Sequence, residues 1–509
     1  MLVKVDSAAL HGIDGVVVAV EVDVSRGLPS FTTVGLPDSS VRESKDRVKA
    51  AIKNCGYEFP SRKITVNLAP ADIKKEGPCF DLPIALGLLA ISGILPVDTL
   101  KGYLVVGELS LDGSVLPVSG VLSIAIAAVK SDKGLIVSRE NGREALLAAP
   151  KEIIAVTNLY EIVEILNGVR EKEPFIPEPI QAQPESYEVG FEDIRGQSVA
   201  KRALAKAAAG MHNLLMQGTP GTGKTMLAKS IPSIMADWTL EERLETTRIY
   251  SLFGKDKKTD LIAQRPFRSP HHTVSDAGLI GGGTYPRPGE VSLAHHGVLF
   301  LDELPEFRRH VLEVLRQPLE DGAVTISRAQ SRLTYPSRFM LVAAMNPCPC
   351  GYLGDFQNRC RCSEQQIRTY TSKISGPLLD RIDMHLAVAR IDFDKICQKT
   401  DTETSAQVRK LVNIAQSAQA TRFRSHGTLF ANAHMGVREI ENYCRINLDS
   451  RRLLQRSAER LGLSVRGCHK ILKVARTIAD LAGTPQIETS HVAEAVQYRR
   501  GVVLNQRPS

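Results

Sequence analysis

The stretch Gly218-Thr219-Pro220-Gly221-Thr222-Gly223-Lys224-Thr225 decides the fold of this chain. It is a complete G-x-x-x-x-G-K-T phosphate loop, whose glycines let backbone N–H groups turn inward around the phosphates of a nucleotide. Lys224 is expected to reach the β and γ oxygens, and the Thr225 hydroxyl is expected to bind Mg²⁺. The helix that follows, through Met226, would point its positive N-terminal end at the same anion. The stretch and Met226 therefore form a predicted site for ATP and Mg²⁺.

A buried strand downstream strengthens this prediction. The apolar run Val-Leu-Phe-Leu at 298–301 ends in Asp302 and Glu303. Asp302 would complete the metal shell, and Glu303 could orient the water that attacks the γ-phosphate. A glycine-rich loop can match by chance, but the loop together with the strand and the acidic pair indicates a nucleoside triphosphatase.

The size and composition are typical of a soluble protein with several domains. The chain has 509 residues, too many for one hydrophobic core, and roughly two to four domains are expected. Its formal net charge of +8 permits an anionic partner without demanding one. No apolar run is long enough to cross a membrane, and the first residues lack the pattern of a secretory signal. Nine cysteines, an odd number, favour reduced thiols or metal ligands over disulfides. We therefore expect a cytoplasmic protein with no membrane partner.

Sequence patterns divide the chain into four segments. Residues 1–170 mix β-rich runs with alanine-rich helical runs, and residues 171–190 carry four prolines without an apolar period, which predicts a semi-rigid linker. Residues 191–393 alternate helices with buried strands, as an α/β nucleotide-binding core does, and residues 394–509 are predicted to be helical. The predicted strands are 15–24, 63–68 and 103–106, and the predicted helices are 81–91, 121–129, 407–422, 450–460, 465–481 and 490–499.

Three further motifs belong to one superfamily. The buried-strand pattern at 341–345 ends at Asn346, the block Gly-Pro-Leu-Leu-Asp-Arg-Ile-Asp follows at 376–383, and Ser-Val-Arg at 464–466 opens a helix. With the phosphate loop and the acidic pair, these motifs resemble the AAA+ superfamily, and specifically its magnesium-chelatase-like branch. The resemblance implies an α/β fold with a P-loop core and a helical C-terminal lid.

That resemblance implies three more catalytic residues. Asn346 would be the sensor-1 residue that positions the lytic water, Arg381 the arginine finger and Arg466 the sensor-2 arginine of the lid. A guanidinium suits these roles because phosphoryl transfer spreads charge over the γ oxygens. A surface salt bridge is the alternative role for either arginine, and Arg476 on the same helix competes with Arg466. Because the family supplies its finger to the ATP of a neighbouring subunit, the resemblance implies a homo-hexameric ring.

An insertion is expected between the phosphate loop and the acidic pair. Lys224 and Asp302 are 78 residues apart, long for adjacent motifs. The candidate insertion is 265–272, which carries Arg268, followed by the glycines at 281–283. In this branch such an insertion projects into the ring channel. We interpret the histidine pair at 271–272 as a turn or a phosphate contact rather than a metal site.

A second projection, at 323–337, is predicted to form a β-hairpin. It contains Arg328 and Arg332 and no acidic residue. Arginines on loops that face a central channel would hold nucleic-acid phosphates, so Arg268, Arg328 and Arg332 are the candidate DNA-binding residues. Ordinary solvated loops are the alternative interpretation.

Four cysteines follow sensor 1 within fifteen residues. Cys348 and Cys350 flank Pro349. Cys360 lies nine residues after Gly351 and is followed by Arg361 and Cys362. Four thiols at this spacing could surround one tetrahedral Zn²⁺, although Cys-x-Cys is less common than Cys-x-x-Cys. We favour structural zinc, with reduced free cysteines as the alternative.

The N-terminal segment carries a second resemblance. Glu-Gly-Pro-Cys-Phe-Asp at 76–81 and Gly-Glu-Leu-Ser-Leu-Asp-Gly-Ser-Val-Leu-Pro-Val-Ser-Gly at 107–120 resemble the Lon protease domain. The resemblance implies an α+β fold of the ribosomal S5 domain 2 type. The family's nucleophilic serine falls at Cys79, and its lysine base falls at Leu122. A nucleophile needs an adjacent base, and Lys130 lies about two helical turns further on, so we expect that peptidase chemistry is lost.

Together the resemblances cover nearly the whole chain in the order found in the bacterial ComM/YifB family. They imply an ATP-driven hexameric DNA motor, a helicase that drives branch migration while incoming single strands are integrated during natural transformation and recombination. The implied partners are single-stranded and branched DNA and recombination proteins. The main alternative is the ATPase subunit of magnesium chelatase, which acts in porphyrin metallation. An ATP-dependent protease and a non-enzymatic DNA-binding scaffold are further alternatives.

Overall fold

The computed structural model describes residues 2–177, 187–253, 260–283, 287–328, 331–355, 358–391, 403–426 and 429–500. These residues form two compact units. The first unit comprises residues 1–182, 240–262 and 327–335, and the second comprises 183–239, 263–326 and 336–509. The predicted linker at 171–190 therefore spans the first boundary between them. The predicted core at 191–393 and the helical region that follows it fall mainly in the second unit.

The N-terminal part of the first unit is a mixed α+β structure. Its strands are β1 (Leu2–His11), β2 (Asp14–Ser25), β3 (Ser30–Val34), β4 (Lys63–Ala69), β5 (Tyr103–Val105), β6 (Glu108–Leu109), β7 (Val115–Leu116), β8 (Gly134–Ser138) and β9 (Ile153–Val156). Its helices are α1 (Ser39–Asn54), α2 (Asp81–Ile91), α3 (Val121–Lys130), α4 (Gly142–Leu146) and α5 (Leu159–Leu166). One sheet has the order β1-β2-β4-β3 and a second, parallel sheet has the order β5-β8-β9.

Helix α2 lies at the centre of this domain. Every residue from Asp81 to Ala90 is buried, and the helix packs on β1, β2 and α1. A helix that is apolar all round needs such cover on several sides. The acidic residue of this helix, Asp81, accepts hydrogen bonds from the Arg47 guanidinium at 2.7 and 3.0 Å and from the Leu109 N–H at 3.2 Å. This pairing compensates the cost of burying its charge.

The middle of the chain supplies an α/β core. Its strands are β10 (Leu214–Gln217), β11 (Phe267–Arg268), β12 (Gly281–Gly282), β13 (Arg287–Pro288), β14 (Val298–Leu301), β15 (Ala323–Arg328), β16 (Ser331–Pro336), β17 (Met340–Met345) and β18 (Met384–Ala387). Its helices are α6 (Ser198–Gly210), α7 (Lys224–Ile234), α8 (Leu240–Ser251), α9 (Asp276–Ile280), α10 (Glu290–Leu293), α11 (Arg309–Glu313), α12 (Arg316–Asp321), α13 (Glu364–Ser372) and α14 (Gly376–Leu379). Helix α8 and the hairpin tip at 327–335 belong to the first unit.

The second unit is built on a parallel five-stranded sheet. Its order is β11-β14-β17-β10-β18. The strands β14, β17 and β10 are buried along their whole lengths, as expected for parallel strands covered by helices on both faces. Because parallel strands end at the same edge, the residues after β14, β17 and β10 lie side by side.

The C-terminal region is helical. Its described helices are α15 (Ser405–Phe423), α16 (Val437–Tyr443), α17 (Leu448–Leu461), α18 (Val465–Leu481) and α19 (Thr489–Arg500). Thr404, Asn447 and Ser464 cap α15, α17 and α18, since each side chain accepts a hydrogen bond from a backbone N–H of the first turn. Helix α18 packs on α6, α15 and α19 and so joins this region to the core. None of the described helices is long and apolar enough to cross a membrane.

The predicted elements are confirmed, and one predicted segment is corrected. The predicted strands correspond to β2, β4 and β5, and the six predicted helices correspond to α2, α3, α15, α17, α18 and α19. The insertion predicted at 265–272 begins too early, because Phe267 and Arg268 pair with Val298 and Leu299 as the edge strand of the core sheet. Between α7 and the acidic pair lie the helices α8, α9 and α10 and the hairpin of β12 and β13.

Candidate functional site

The phosphate loop joins β10 to α7 at the carboxyl edge of the core sheet. Helix α7 begins at Lys224, directly after Gly223. Gly223 has a φ of 83°, a left-handed conformation that side chains disfavour, and it turns the chain from the loop into the helix. This arrangement presents the N-terminal end of an eleven-residue helix to the loop.

Lys224 is held at the centre of the loop. Its ammonium group donates to the carbonyls of Gly218 at 2.8 Å and Thr219 at 3.0 Å. It also donates to the Asn346 side-chain oxygen at 3.2 Å. Burial lowers the pKa of Lys224. The predicted phosphate-binding cation and the predicted sensor-1 residue are therefore in direct contact.

Thr225 and Asp302 form the second pair of the site. The Thr225 hydroxyl donates to the Asp302 carboxylate at 2.9 Å, and the Glu303 N–H donates to the other Asp302 oxygen at 2.9 Å. A hydroxyl and a carboxylate at this distance are oxygen ligands of the kind that Mg²⁺ accepts in nucleotide sites. The Glu303 side chain is 58% exposed, so it is open to solvent water.

The sheet order explains why these residues meet. Strand β17 lies between β10 and β14, so Asn346 emerges between the phosphate loop and Asp302. The sequence predicted β14 and β17 but neither β10 nor the strand order, because strand order depends on the crossover connections. The site thus contains a phosphate loop, a hydroxyl–carboxylate pair, an exposed glutamate and an amide.

Two further residues contact the site, and sequence reasoning missed one of them, Gln197. The ring nitrogen Nδ1 of His272 lies 3.9 Å from the Glu303 carboxylate. The Gln197 amide donates to the Thr222 carbonyl at 3.3 Å and to the Ala389 carbonyl at 2.8 Å, so it ties the phosphate loop to the end of β18. A single glutamine carries no sequence motif, and the His271-His272 pair had indicated only a turn or a phosphate contact.

The two predicted catalytic arginines share one cavity. Arg381 and Arg466 both line a cavity of about 350 Å³, which also contains Glu320 and Lys470 and none of the phosphate-loop residues. Arg381 is 14% exposed, donates to the Pro377 carbonyl at 2.7 Å and forms an ion pair with Glu320. Arg466, at the start of α18, is exposed. The structure therefore brings these arginines together, at a place separate from the phosphate loop of their own chain.

Arg476 has a structural role. It is buried and donates to the Asp480 carboxylate at 3.0 Å and to the carbonyls of Pro485 at 2.8 Å and Thr484 at 2.7 Å. These bonds close the turn after α18. Of the two arginines that competed for the sensor-2 role, Arg466 is the one whose guanidinium is available.

The four cysteines of the predicted cluster converge. Their sulfur atoms all lie within 4.8 Å of one another, and the Cys348–Cys350, Cys348–Cys360 and Cys350–Cys360 distances are 3.4, 3.7 and 3.6 Å. Four sulfurs bound to one tetrahedral zinc at the usual bond length would be ~3.8 Å apart. The residues therefore fit zinc. Backbone N–H groups, chiefly that of Arg361, lower the pKa of Cys350 to about 6, whereas burial raises the pKa of Cys348 to about 12. Of these two thiols, Cys350 is therefore the one that more readily forms a thiolate.

The cysteine loop also contacts the phosphate loop. A Cβ atom on Gly351 would lie 2.6 Å from Cδ of Pro220, so the two loops approach as closely as a glycine permits. A change in the conformation of the cysteine loop would therefore shift Pro220, because the two loops are packed against each other.

The three candidate DNA-binding arginines differ in their surroundings. Arg268 donates to both oxygens of the Glu290 carboxylate, at 2.7 and 2.8 Å, which neutralises much of its charge. Arg332, on β16 of the predicted hairpin, is exposed. Arg328 ends β15, and its side chain lies outside the described residues. The hairpin was predicted correctly, and it pairs β15 with β16.

The Lon-like positions lack an activated nucleophile. Burial raises the pKa of the Cys79 thiol to about 12, and the charged groups that act on it are the carboxylates of Asp81 and Asp38. Leu122 is fully buried, and Lys130 is exposed at the end of α3. A thiol with this pKa is protonated at neutral pH and is a poor nucleophile.

Three family models match successive parts of the chain. The model described as "Magnesium chelatase, subunit ChlI" matches residues 190–396. "Subunit ChlI of Mg-chelatase" matches residues 20–141, and "Magnesium chelatase, subunit ChlI C-terminal" matches residues 402–499. These matches confirm the magnesium-chelatase-like AAA+ core and the helical C-terminal region.

Similar proteins extend this result to the full length. The chain is 45% identical to the Haemophilus influenzae protein named competence protein ComM, over 100% of this chain and 99% of the relative. It is 44% identical to the Escherichia coli protein YifB, which is described as uncharacterized, over 97% and 96% of the two chains. It is also 28% identical to a Lon protease of Trichlorobacter lovleyi over 34% of this chain and 22% of the relative, which confirms the Lon-like similarity.

Proposed function

Because the chain belongs to the ComM/YifB family of magnesium-chelatase-like AAA+ ATPases, we propose that it is an ATP-driven hexameric DNA motor. In this proposal it drives branch migration while incoming single strands are integrated during natural transformation, together with recombination proteins. The name of the Haemophilus relative supports the competence role. The observation that carries the proposal is a complete predicted ATP site in a chain that also carries an exposed arginine, Arg332, on a hairpin.

The residues of the ATP site have distinct roles in this proposal. Lys224 binds the β- and γ-phosphates, and Asn346 fixes Lys224 and orients the lytic water. Glu303 polarises that water, and Thr225 with Asp302 would hold Mg²⁺, which neutralises charge on the phosphate oxygens. Lys224 donates a hydrogen bond to the Asn346 side chain. When a bound phosphate competes for the Lys224 ammonium group, this hydrogen bond is expected to break, so that Asn346 becomes available to the lytic water.

The shared cavity supports action between subunits. Arg381 and Arg466 line the same surface, and no phosphate-loop residue of their own chain lines it with them. We infer that this surface faces the ATP of a neighbouring subunit in a ring. Arg381 is then released from Glu320 when it meets the γ-phosphate, since an arginine binds phosphate and carboxylate in the same forked geometry.

The proposed contacts with DNA lie on the hairpin. Arg332 is exposed, and the hairpin from Ala323 to Pro336 carries no acidic residue. Arg328 lies on the adjoining strand and is proposed to act with it. Arg268 would first have to leave Glu290, so we expect it to contribute less. An exposed guanidinium such as that of Arg332 is available for phosphates, and the binding of phosphates weakens steeply with salt.

The cysteine cluster is proposed to bind one structural zinc ion. The sulfur positions fit a tetrahedral site, and the loop packs against Pro220 of the phosphate loop. Zinc would therefore stabilise the loop that supports the ATP site.

The alternative function is that of a magnesium chelatase ATPase subunit. The family models favour this activity class for the core. Full-length similarity to ComM and YifB, the Lon-like similarity and the cysteine cluster favour the DNA motor instead. A chelatase subunit has no reason to bind DNA phosphates.

ATP hydrolysis measured with and without DNA separates the two functions. We expect single-stranded and branched DNA to raise the ATPase rate several-fold, because a motor couples its ATP cycle to its track. The same titration with a protoporphyrin and chelatase partner subunits is the control. Stimulation by the chelatase partners alone would favour the alternative function.

A further inference from the structure

The first unit contains two segments that lie far from its N-terminal domain in the sequence. These are residues 240–262, which contain α8, and residues 327–335, the hairpin tip. Helix α8 packs on α3, and the segments reach the same short turn between β1 and β2, at His11–Asp14. The turn is contacted by hydrogen bonds from α8 and by close packing of the hairpin backbone.

Arg248 of α8 is the principal polar contact. Its guanidinium donates to the Ile13 carbonyl at 2.7 Å and to the Asp14 carboxylate at 2.5 Å, and it lies 3.3 Å from the Ser123 hydroxyl. The Ser123 hydroxyl in turn donates to the Ile13 carbonyl at 2.6 Å. Arg248 is 16% exposed and Asp14 is 67% exposed, so the ion pair with Asp14 is open to water and contributes little. The bonds to Ile13 and Ser123 are partly buried and are the better shielded contacts of Arg248.

A second set of contacts lies one turn further along α8. The buried Ser251 hydroxyl donates to the Glu144 carboxylate, which also accepts the Leu122 N–H at 2.8 Å. A Cβ atom on Gly120 would lie 3.2 Å from the Leu252 side chain, so this leucine sits directly over the start of α3. The position that holds the lysine base in Lon-like enzymes is thus occupied by Leu122, beneath a contact with α8.

The hairpin tip meets the same turn from another direction. Gly12 has a φ of +64°, and a Cβ atom there would lie 3.4 Å from the Thr334 carbonyl oxygen. The left-handed conformation is accessible to glycine at little cost, and it places the turn backbone close to the hairpin backbone. The turn therefore contacts both segments through consecutive residues. Gly12 lies against the hairpin, and Ile13 and Asp14 accept hydrogen bonds from Arg248 of α8.

We propose that the Lon-like domain is an anchor that links α8 to the hairpin tip through the β1–β2 turn. The surface beside its degenerate peptidase positions, formed by Ile13, Asp14, Ser123 and Glu144, binds segments of this chain's own ATPase module. In this proposal the Lon-like fold is retained for docking rather than for peptidase chemistry, since Cys79 and Leu122 occupy the positions of the nucleophile and the base. A displacement of α8 is then passed to the hairpin tip through the turn.

Hydrogen exchange measured on the full-length protein tests this proposal without DNA. In the Arg248→Ala variant we expect amide exchange to rise about tenfold in α8, in the β1–β2 turn and in the hairpin tip, because local opening follows the loss of buried polar contacts. Glu241→Ala is the matched control, since Glu241 is exposed on the first turn of α8 and should leave all three peptides unchanged.

A charge exchange and a milder variant complete the test. Adding Asp14→Arg to Arg248→Asp should slow exchange relative to Arg248→Asp alone, because attraction between the two positions is restored. Ser251→Ala, which removes one hydroxyl, should raise exchange in α8 and at the start of α3 in a protein that stays folded. The proposal is overturned if Arg248→Ala loosens α8 while the turn and the hairpin tip keep wild-type exchange. Because no DNA is present, this result is independent of whether the protein is a DNA motor.

Discussion

The Thr225 hydroxyl donates to the Asp302 carboxylate at 2.9 Å, across 77 residues of sequence. The two side chains meet because β17 places the strand ends of β10 and β14 on either side of Asn346. In the proposed function this contact marks the Mg²⁺ position. Lys224, Thr225 and Asp302 are then the residues proposed to bind ATP and Mg²⁺, and Glu303 is the residue proposed to activate water.

The first prediction uses that separation. Lys224→Ala should abolish ATP binding, because it removes the cation that faces the phosphates. Glu303→Gln should bind ATP normally and hydrolyse it about 10²-fold or more slowly, because the amide cannot polarise water. Fluorescent-nucleotide binding and phosphate release measure the two effects. Near-normal turnover in Glu303→Gln would remove that residue from catalysis.

The second prediction concerns the arginine pair. Arg381→Ala and Lys224→Ala subunits, each inactive alone, should regain part of the ATPase rate when mixed, since a shared interface combines an intact phosphate loop with an intact finger. Mixtures of Arg466→Ala with Lys224→Ala should behave in the same way. Mixtures of Lys224→Ala with Glu303→Gln are the control, because both changes damage the ATP-binding side. Absence of rescue in rings shown to co-assemble would contradict action between subunits.

The third prediction concerns the cysteine cluster. Metal analysis should find about one zinc per chain, and replacement of Cys348 and Cys350 by serine should remove it. Because Gly351 packs on Pro220, the same change should also weaken nucleotide binding. Cys468→Ser, on α18, is the control and should retain zinc. A fully active protein that holds no zinc after purification without chelator would identify the four residues as free thiols.

The fourth prediction concerns acid stability. Burial, with repulsion from Arg499 and Lys470, lowers the pKa of His385 to about 3. The unfolded chain takes up a proton near its ordinary value of about 6.5 while the folded chain does not, so stability is lost as the pH falls below that value. Between pH 7 and pH 5 this loss amounts to about 2 kcal/mol. Urea unfolding of His385→Gln should show a pH dependence smaller by that amount, and an unchanged dependence would contradict the assignment.

The sequence predicted the chemistry of the site better than its assembly. Gly218–Thr225 and Asp302 were identified because their residue types are required by phosphate and magnesium at fixed local spacing. The contacts of Gln197 and His272 could not be predicted, because they depend on strand order and loop packing rather than on a motif. The start of the insertion was predicted too early for the same reason, since only their pairing with β14 identifies Phe267 and Arg268 as a strand of the core sheet.

The arginines show a similar limit. Charge alone placed Arg268 with Arg328 and Arg332, yet Glu290, 22 residues away, pairs with Arg268 and distinguishes it from Arg332. In the same way, Arg476 could be separated from Arg466 only when its bonds to Asp480 and to the turn after α18 were known. A sequence identifies which side chains carry charge, and the fold determines which of them are available.

The fifth prediction concerns the residues that grip DNA. Replacing Arg328 and Arg332 together by alanine should weaken binding to single-stranded DNA and reduce the slope of log affinity against log salt by roughly 1–2, because two phosphate contacts are lost. Arg268→Ala is the matched control and should change the slope less, since its guanidinium is paired with Glu290. Basal ATPase should persist in both variants, because none of these residues belongs to the phosphate loop or to the acidic pair.

The most direct test of the central claim is the migration of a branched DNA junction by the purified protein. We predict that the wild-type protein moves the junction with ATP and Mg²⁺, that Glu303→Gln assembles on DNA without moving it, and that the Arg328→Ala, Arg332→Ala double variant hydrolyses ATP without moving it. Migration at the wild-type rate by the double variant would show that the hairpin is not the gripping element. A wild-type protein that hydrolyses ATP but neither binds DNA nor moves the junction would contradict the motor and favour the chelatase-like alternative.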